Sequence, residues 1–235
     1  MIAAEIAMAA VVLAAIAAVL VRTFSSSSPS QPSPSPHSVS LPADGRSHLT
    51  LRVTTGIPSL TIGVAPPGSD GTLLRVSTSA SIAVPRLRAD GGTVYLSATD
   101  VQTVTVTLSP AVTWQLDFAG GTSRTVADLR GGQLAGIAFT KGSDVIDLTL
   151  PRPPGAVTVR LAAGASQLLL SLPAGIPVRV SAHAGAHEIS LDGRDHADVR
   201  DNTVFTTPGW APGATGFDID ATAGAARIAV TTWAG

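Results

Sequence analysis

The stretch FAGGTSRTVADLRGGQLAGIAFTKGSDVIDLTLPRPPGAVTVRLAAGASQLLLSLPAGIPVRV, Phe118 to Val180, decides the fold. It repeats one sentence: a Gly corner, a short alternating run, a Pro or Gly turn, another short run. Ser123, Asp144 and Ser166 each sit just past a corner, in steps of 21 and 22. The runs that follow are SRTVADL, DVIDLTL and SQLLLSL. Their β-branched and Leu-rich alternation has the period of a strand.

The same spacing continues outward. Ser59, Ser81, Gln102, Ser123, Asp144, Ser166 and His187 follow one another in steps of 22, 21, 21, 21, 22 and 21. An eighth copy, ARIAV, starts at Ala226, nearly two periods after His187, so one unit carries an insertion almost as long as a rung. A second strand precedes each corner, as in AVTWQLDF before Gly120, AVTVRL before Gly164 and GFDIDA before Gly224. Val112, Trp114, Leu116 and Phe118 fall on one face of such a strand, Thr113, Gln115 and Asp117 on the other. Pro66, Pro110, Pro151 and Pro173 mark strand ends, because proline lacks the donor that a ladder needs.

A unit of this kind cannot bury its apolar face alone; stacked units can. The pattern predicts an all-β repeat, a β-solenoid of about eight 21–22-residue rungs with two strands per rung, over residues 44–235. Leu170, Val159 and Ile146 are expected inside, at equivalent places in successive rungs, and Thr158 outside. An ordinary two-sheet sandwich also has many short strands, but it does not account for six steps of one length.

The run from Phe118 to Val180 also resembles the repeated-strand domain of a bacterial adhesin family, known as the toastrack domain. The Gly-Ala/Thr-Ser corners and the Leu-Pro-Ala-Gly-Ile-Pro turn at Leu172–Pro177 carry the likeness. The resemblance implies a stacked β fold at the cell envelope, often membrane-anchored, and supplies no site residues. The Ala-, Arg- and Gly-rich composition points to a high-GC, actinobacterial source.

The N-terminus reads differently. Ile2 to Val21 is almost wholly apolar, with Glu5 its one charge. Twenty residues at ~1.5 Å each cross the ~30 Å hydrocarbon core. No basic residue precedes the run, so it reads as an uncleaved signal-anchor, residues 1–23, rather than a cleaved signal peptide. Residues 24–43 form a Ser/Pro-rich linker, whose prolines stiffen it toward polyproline II. Arg22 mildly favours a cytoplasmic domain; the spacer favours the extracytoplasmic side, which is the expected location.

Composition narrows the chemistry. Charged residues are 13%, and fifteen basic against sixteen acidic side chains give a net charge of −1, with no pull toward nucleic acid. There is no cysteine, which removes disulfides, thiolate metal sites and a thiol nucleophile. His183 and His187 with a nearby aspartate are a conceivable metal pair, but the Gly185 corner separates them. The outward acids Asp117, Asp147, Asp218 and Asp220 are scattered among Thr, Ser and Arg160. No nucleophile elbow or phosphate loop occurs. The reading is therefore no catalytic residue, no cofactor and no metal.

The insertion, about residues 193–216, is the one departure from the repeat and the expected place for a partner contact, through Phe205 and Trp210. The competing expectation, which we favour, is a cap that lays Trp210 over a sheet edge. The function expected is a non-enzymatic, membrane-anchored envelope scaffold or adhesin-like domain that meets an envelope protein or glycan. A sensory ectodomain working through a membrane partner is the alternative, and a carbohydrate-active solenoid enzyme a more distant one.

Overall fold

The computed structural model describes residues 36–69, 71–79 and 84–234. The expected membrane segment, the linker up to residue 35, and residues 81–83 of the SIAV copy lie outside them. Strands dominate the described residues, in a nine-stranded and a ten-stranded sheet that share one apolar core.

The chain enters through β1 (Ser38–Pro42) and makes a first rung, β2 (His48–Val53) and β3 (Ser59–Val64). It then leaves the stack through β4 (Thr72–Thr78) and β5 (Arg86–Asp90). Five rungs follow: β6 (Thr93–Ser97) with β7 (Thr103–Leu108), β8 (Thr113–Phe118) with β9 (Thr122–Asp128), β10 (Gln133–Phe139) with β11 (Ser143–Thr149), β12 (Ala156–Leu161) with β13 (Ala165–Pro173), and β14 (Val178–Ala182) with β15 (Ala186–Leu191). A second excursion makes β16 (Arg194–Val199) and β17 (Thr203–Thr206). The last rung is β18 (Gly216–Ala221) with β19 (Ala225–Trp233).

The first strand of every rung lies in the nine-stranded sheet, ordered β5-β6-β2-β8-β10-β12-β18-β14-β17. The second lies in the ten-stranded sheet, ordered β1-β4-β7-β3-β9-β11-β13-β19-β15-β16. Rung strands pair in parallel throughout. The two excursions pair antiparallel: β4 on β7 and β5 on β6 at one end, β16 on β15 and β17 on β14 at the other.

The described residues thus hold seven rungs, not eight. Ser59 and Gln102 lie two periods apart, yet of the strands described between them β4 and β5 pair antiparallel and only β6 joins the rungs. One excursion shows in the spacing as an insertion; the other hides because its length matches the repeat.

Nor do the rungs stack in chain order. The second rung lies outside the first, and the seventh is inserted between the fifth and the sixth. At each end the chain builds a cap and fills the rung slot next to it by going out or coming back past its neighbour.

Leu170, Val159 and Ile146 are all buried and Thr158 is exposed, as expected. The three are not equivalent, however: Val159 and Leu170 belong to one rung and to different sheets, Ile146 is level with Leu168, and Leu148 is the neighbour of Leu170. Leu116, Ile137, Val159, Ile219 and Val180 form one continuous inner row across five strands. Phe118 and Phe139 stack in the next row, centroids 4.4 Å apart and planes 9° off parallel.

The corners stack too. Gly121, Gly142, Gly164 and Gly224 offer their carbonyls to Ile57, Thr122, Ser143 and Ala165 of the adjoining rungs, at 3.0–3.4 Å. Gly120 shows why the corner is glycine: a Cβ there would sit 1.9 Å from the carbonyl oxygen of Thr55. Thr140 and Thr222 brace the same corners, each hydroxyl donating to a carbonyl of the adjoining rung, Phe118 and Leu161, at 3.2 Å.

Candidate functional site

The second excursion begins with a tight hairpin. Leu191 faces Arg194, and Asp192 and Gly193 between them both have positive φ, 54° and 71°. That is the type I′ geometry which an Asp-Gly pair favours. β16 and β17 then close the end strands of the two sheets. Phe205, half-buried against the core, meets His196 with ring centroids 4.4 Å apart, so the two cap strands touch across the open end. Phe205 thus seals the core, while its neighbour Val204 is 54% exposed.

Trp210 lies on the return path to β18. Thr207 holds the path by pairing with Val178: its amide donates to the carbonyl at 2.9 Å and its hydroxyl accepts from the amide at 2.8 Å. The Trp210 ring rests over Gly216, where a Cβ would come 3.2 Å from Cζ3 and 2.6 Å from the carbonyl oxygen of Pro177. Arg179 lies at the ring, its guanidinium carbon 5.8 Å from the centroid. Trp210 is half-buried and Phe205 likewise, so the structure gives both residues packing partners and leaves part of each at the surface.

Beside Trp210 the outer face of the nine-stranded sheet carries a cluster of paired charges. Arg179 forks Asp218 through two hydrogen bonds of 2.8 Å, from Nε and Nη2. Asp220, two residues on along the same face, meets His183 Nε2 at 3.0 Å and Arg160 Nε at 3.7 Å. The parallel register sets this up, because Arg160 and Asp220 are level, as are Arg179 and Asp218. Each carboxylate already has a cation, so the patch is a rigid array of donors and acceptors with little net charge. Sequence spacing missed it, since Arg160, Arg179 and the two aspartates belong to three different rungs, and the whole second excursion separates Arg179 from Asp218 along the chain.

The other candidates stay apart. His183 pairs with Asp220, whereas His187 lies 3.5 Å from Asp198 on β16. Among the described residues no three His, Cys, Asp or Glu side chains converge on a metal site. Asp147 is in the ten-stranded sheet, and Asp117 is three strands away from Asp220.

A second surface feature lies on the ten-stranded sheet. Gly63, Val64, Asp128, Arg130 and Gly131 line an open trough of about 320 Å³. Arg130 grips Asp128 through Nε at 3.0 Å and Nη2 at 2.6 Å, and this fork holds the Asp128 carboxyl below the ordinary aspartate range. Trp233 stacks under the same guanidinium at 5.9 Å, its buried Nε1 without a hydrogen-bond partner. Nothing in the sequence spacing pointed here, because Arg130 follows β9 and Trp233 ends β19, the last of the described strands.

No protein-family model matches the chain, and no curated protein matches it. A solved structure does. It is a protein of Clostridium sporogenes described as a "putative cell adhesion protein", 16% identical, with a TM-score of 0.59 over 84% of this chain and 99% of that one. The two share an all-β fold. At that identity the likeness speaks for architecture alone.

Proposed function

We propose that this chain is a non-enzymatic, adhesin-like interaction domain of the cell envelope, held at the membrane by residues 2–21 and set off from it by the Ser/Pro linker. In this reading residues 44–235 stand outside the cytoplasm and belong with the toastrack adhesins. The partner is an envelope protein or a glycan, met beside the C-terminal cap, where Phe205, Trp210 and the Arg179–Asp218 pair share one edge. The observation that carries the reading is the fold shared, over nearly that whole chain, with a protein described as a "putative cell adhesion protein". The paired charges fit it as well. A carboxylate already held by arginine is a poor proton shuttle, but a good fixed hydrogen-bonding surface.

Two experiments on the full chain in its native membrane test this. Protease added to intact spheroplasts removes the β domain; its survival until the membrane is opened would put the domain in the cytoplasm. A photo-crosslinking residue at Thr206 captures a specific partner, and one at Thr61 on the other sheet does not. Equal capture from both faces, or from neither, would remove the cap edge as the contact.

A further inference from the structure

Among the described residues both sheets end in open edges, and the four edge strands are not alike. In the ten-stranded sheet one edge is β1, SVSLP, without charge, and the other is β16, RDHADV. In the nine-stranded sheet one edge is β17, TVFT, without charge, and the other is β5, RLRAD. Each end of the stack therefore presents one charged and one uncharged strand, on opposite sheets. Charged edge strands ordinarily discourage pairing, and uncharged ones invite it.

The ends also differ in sign. From the β3–β4 connection through β5 there are Arg75, Arg86 and Arg88 against Asp70 and Asp90, three positive and two negative, or +1. From the β15–β16 turn to the β16–β17 turn there are Asp192, Asp195, Asp198 and Asp201 against Arg194 and Arg200, four negative and two positive, or −2. Two copies meeting by like ends would oppose like charges. Two copies meeting head to tail would place the acidic end on the basic one. In that arrangement β1 meets β16 and β5 meets β17, so each charged strand faces an uncharged one. Strand directions allow both junctions. β1 runs with the rungs and β16 against them, giving an antiparallel pair, while β5 and β17 both run against the rungs, giving a parallel one.

We infer that the chain associates with further copies of itself head to tail, the β16/β17 end of one against the β1/β5 end of the next, extending both sheets through the junction. The contact is heterologous and does not close by symmetry, so it generates linear rows rather than a single dimer. Rows of anchored copies would present the charged face of the nine-stranded sheet many times over.

The absence of cysteine gives a direct test, because any disulfide must come from introduced residues. The variant Ser40→Cys with Ala197→Cys places one thiol on each outer edge of the ten-stranded sheet, at exposed positions. Within one molecule the two are nine strand spacings of ~4.8 Å apart, about 43 Å, so they cannot join intramolecularly. Under mild oxidation in native membranes the double variant should give a ladder of cross-linked species, and each single variant should stay monomeric. Arg86→Glu with Arg88→Glu should reduce the ladder at least several-fold, and adding Asp195→Arg with Asp201→Arg should restore it. Melting curves of all variants confirm that they fold. No ladder from a folded double variant, dimers from either single variant, or no response to charge reversal would overturn the inference.

Discussion

Val159 and Ile219 are level neighbours on adjacent parallel strands, although the whole sixth rung and its cap lie between them along the chain. The strand that carries Ile219 also stands between Val159 and Val180 in the sheet. The last rung made is thus an inner rung, and the sixth rung and its cap depend on it for their contact with the rest. Removing residues 216–235 should cost more than one rung: β14 to β17 lose their only neighbouring rung and should become protease-sensitive together. Cleavage confined to the new C-terminus, with residues 178–206 still protected, would count against this dependence. Stability carried by neighbour contacts makes the loss cooperative.

Leu170 is 1% exposed, on an inner row, while Thr158 faces solvent. Leu170→Ala should destabilise by ~2–5 kcal/mol, as for other buried leucines, and Thr158→Ala by less than ~0.5 kcal/mol. Chemical denaturation of the two variants side by side measures the difference. Comparable midpoints would show that the inside/outside register is wrong.

The repeat was legible because each rung buries the same face with the same corner. Ser59, Gln102, Ser123, Asp144, Ser166, His187 and Ala226 all fall at or within one residue of the start of a ten-stranded-sheet strand. The Ser81 step misled because spacing carries no direction: an excursion that adds one full period leaves the arithmetic intact while β4 and β5 turn antiparallel. Stacking order was invisible for a related reason. Rungs with equal periods and equal Val/Leu/Ile faces fit in either order, and only the caps decide which slot the chain fills next. Phe205 and Trp210 stood out as aromatics in a polar insertion, but the Arg179–Asp218 fork comes from register between distant strands.

Gly120 and Gly155 separate two uses of glycine. At Gly120 a Cβ would strike the Thr55 carbonyl, and at Gly155 nothing lies within 4 Å. Gly120→Ala must push two rungs apart at the corner, so a loss of ~2 kcal/mol or more is expected, in the range of backbone strain and overpacking. Gly155→Ala should be neutral or gain up to ~1 kcal/mol through the unfolded state. Thermal melts decide; a tolerated Gly120→Ala would mean that the corners do not stack this closely.

Arg130 holds the Asp128 carboxyl below its ordinary range. A carboxyl depressed in the folded state stabilises above its unfolded pKa, and the contribution is lost as pH falls through the folded value. Both side chains are about half exposed, so the effect is small and salt-sensitive. Arg130→Met should raise the Asp128 titration toward the ordinary range, read by carboxyl carbon NMR. An unmoved midpoint would show that the fork does not persist in solution.

The C-terminal cap gives the sharpest separation of packing from contact. Replacing Thr203–Gly213 with a short Gly/Ser linker removes β17 from the edge of β14, removes the Phe205 ring from His196, and removes Trp210 from Gly216. Phe205 is half-buried, so its share is below the ~3 kcal/mol of a fully buried aromatic. Loss of the β14–β17 strand pairing and the Thr207–Val178 bonds adds to it. A total of about 2–3 kcal/mol lowers the melting temperature of a domain this size by roughly 4–12 °C. Arg179 should then lose its ring partner while keeping Asp218, because the fork lies wholly within β14 and β18. Trp210→Ala alone should produce a smaller fall, since it leaves β17 in place. An unchanged melting curve for the linker variant would show that the segment is not a cap, and its place in the chain would then have to be explained by what it touches outside it.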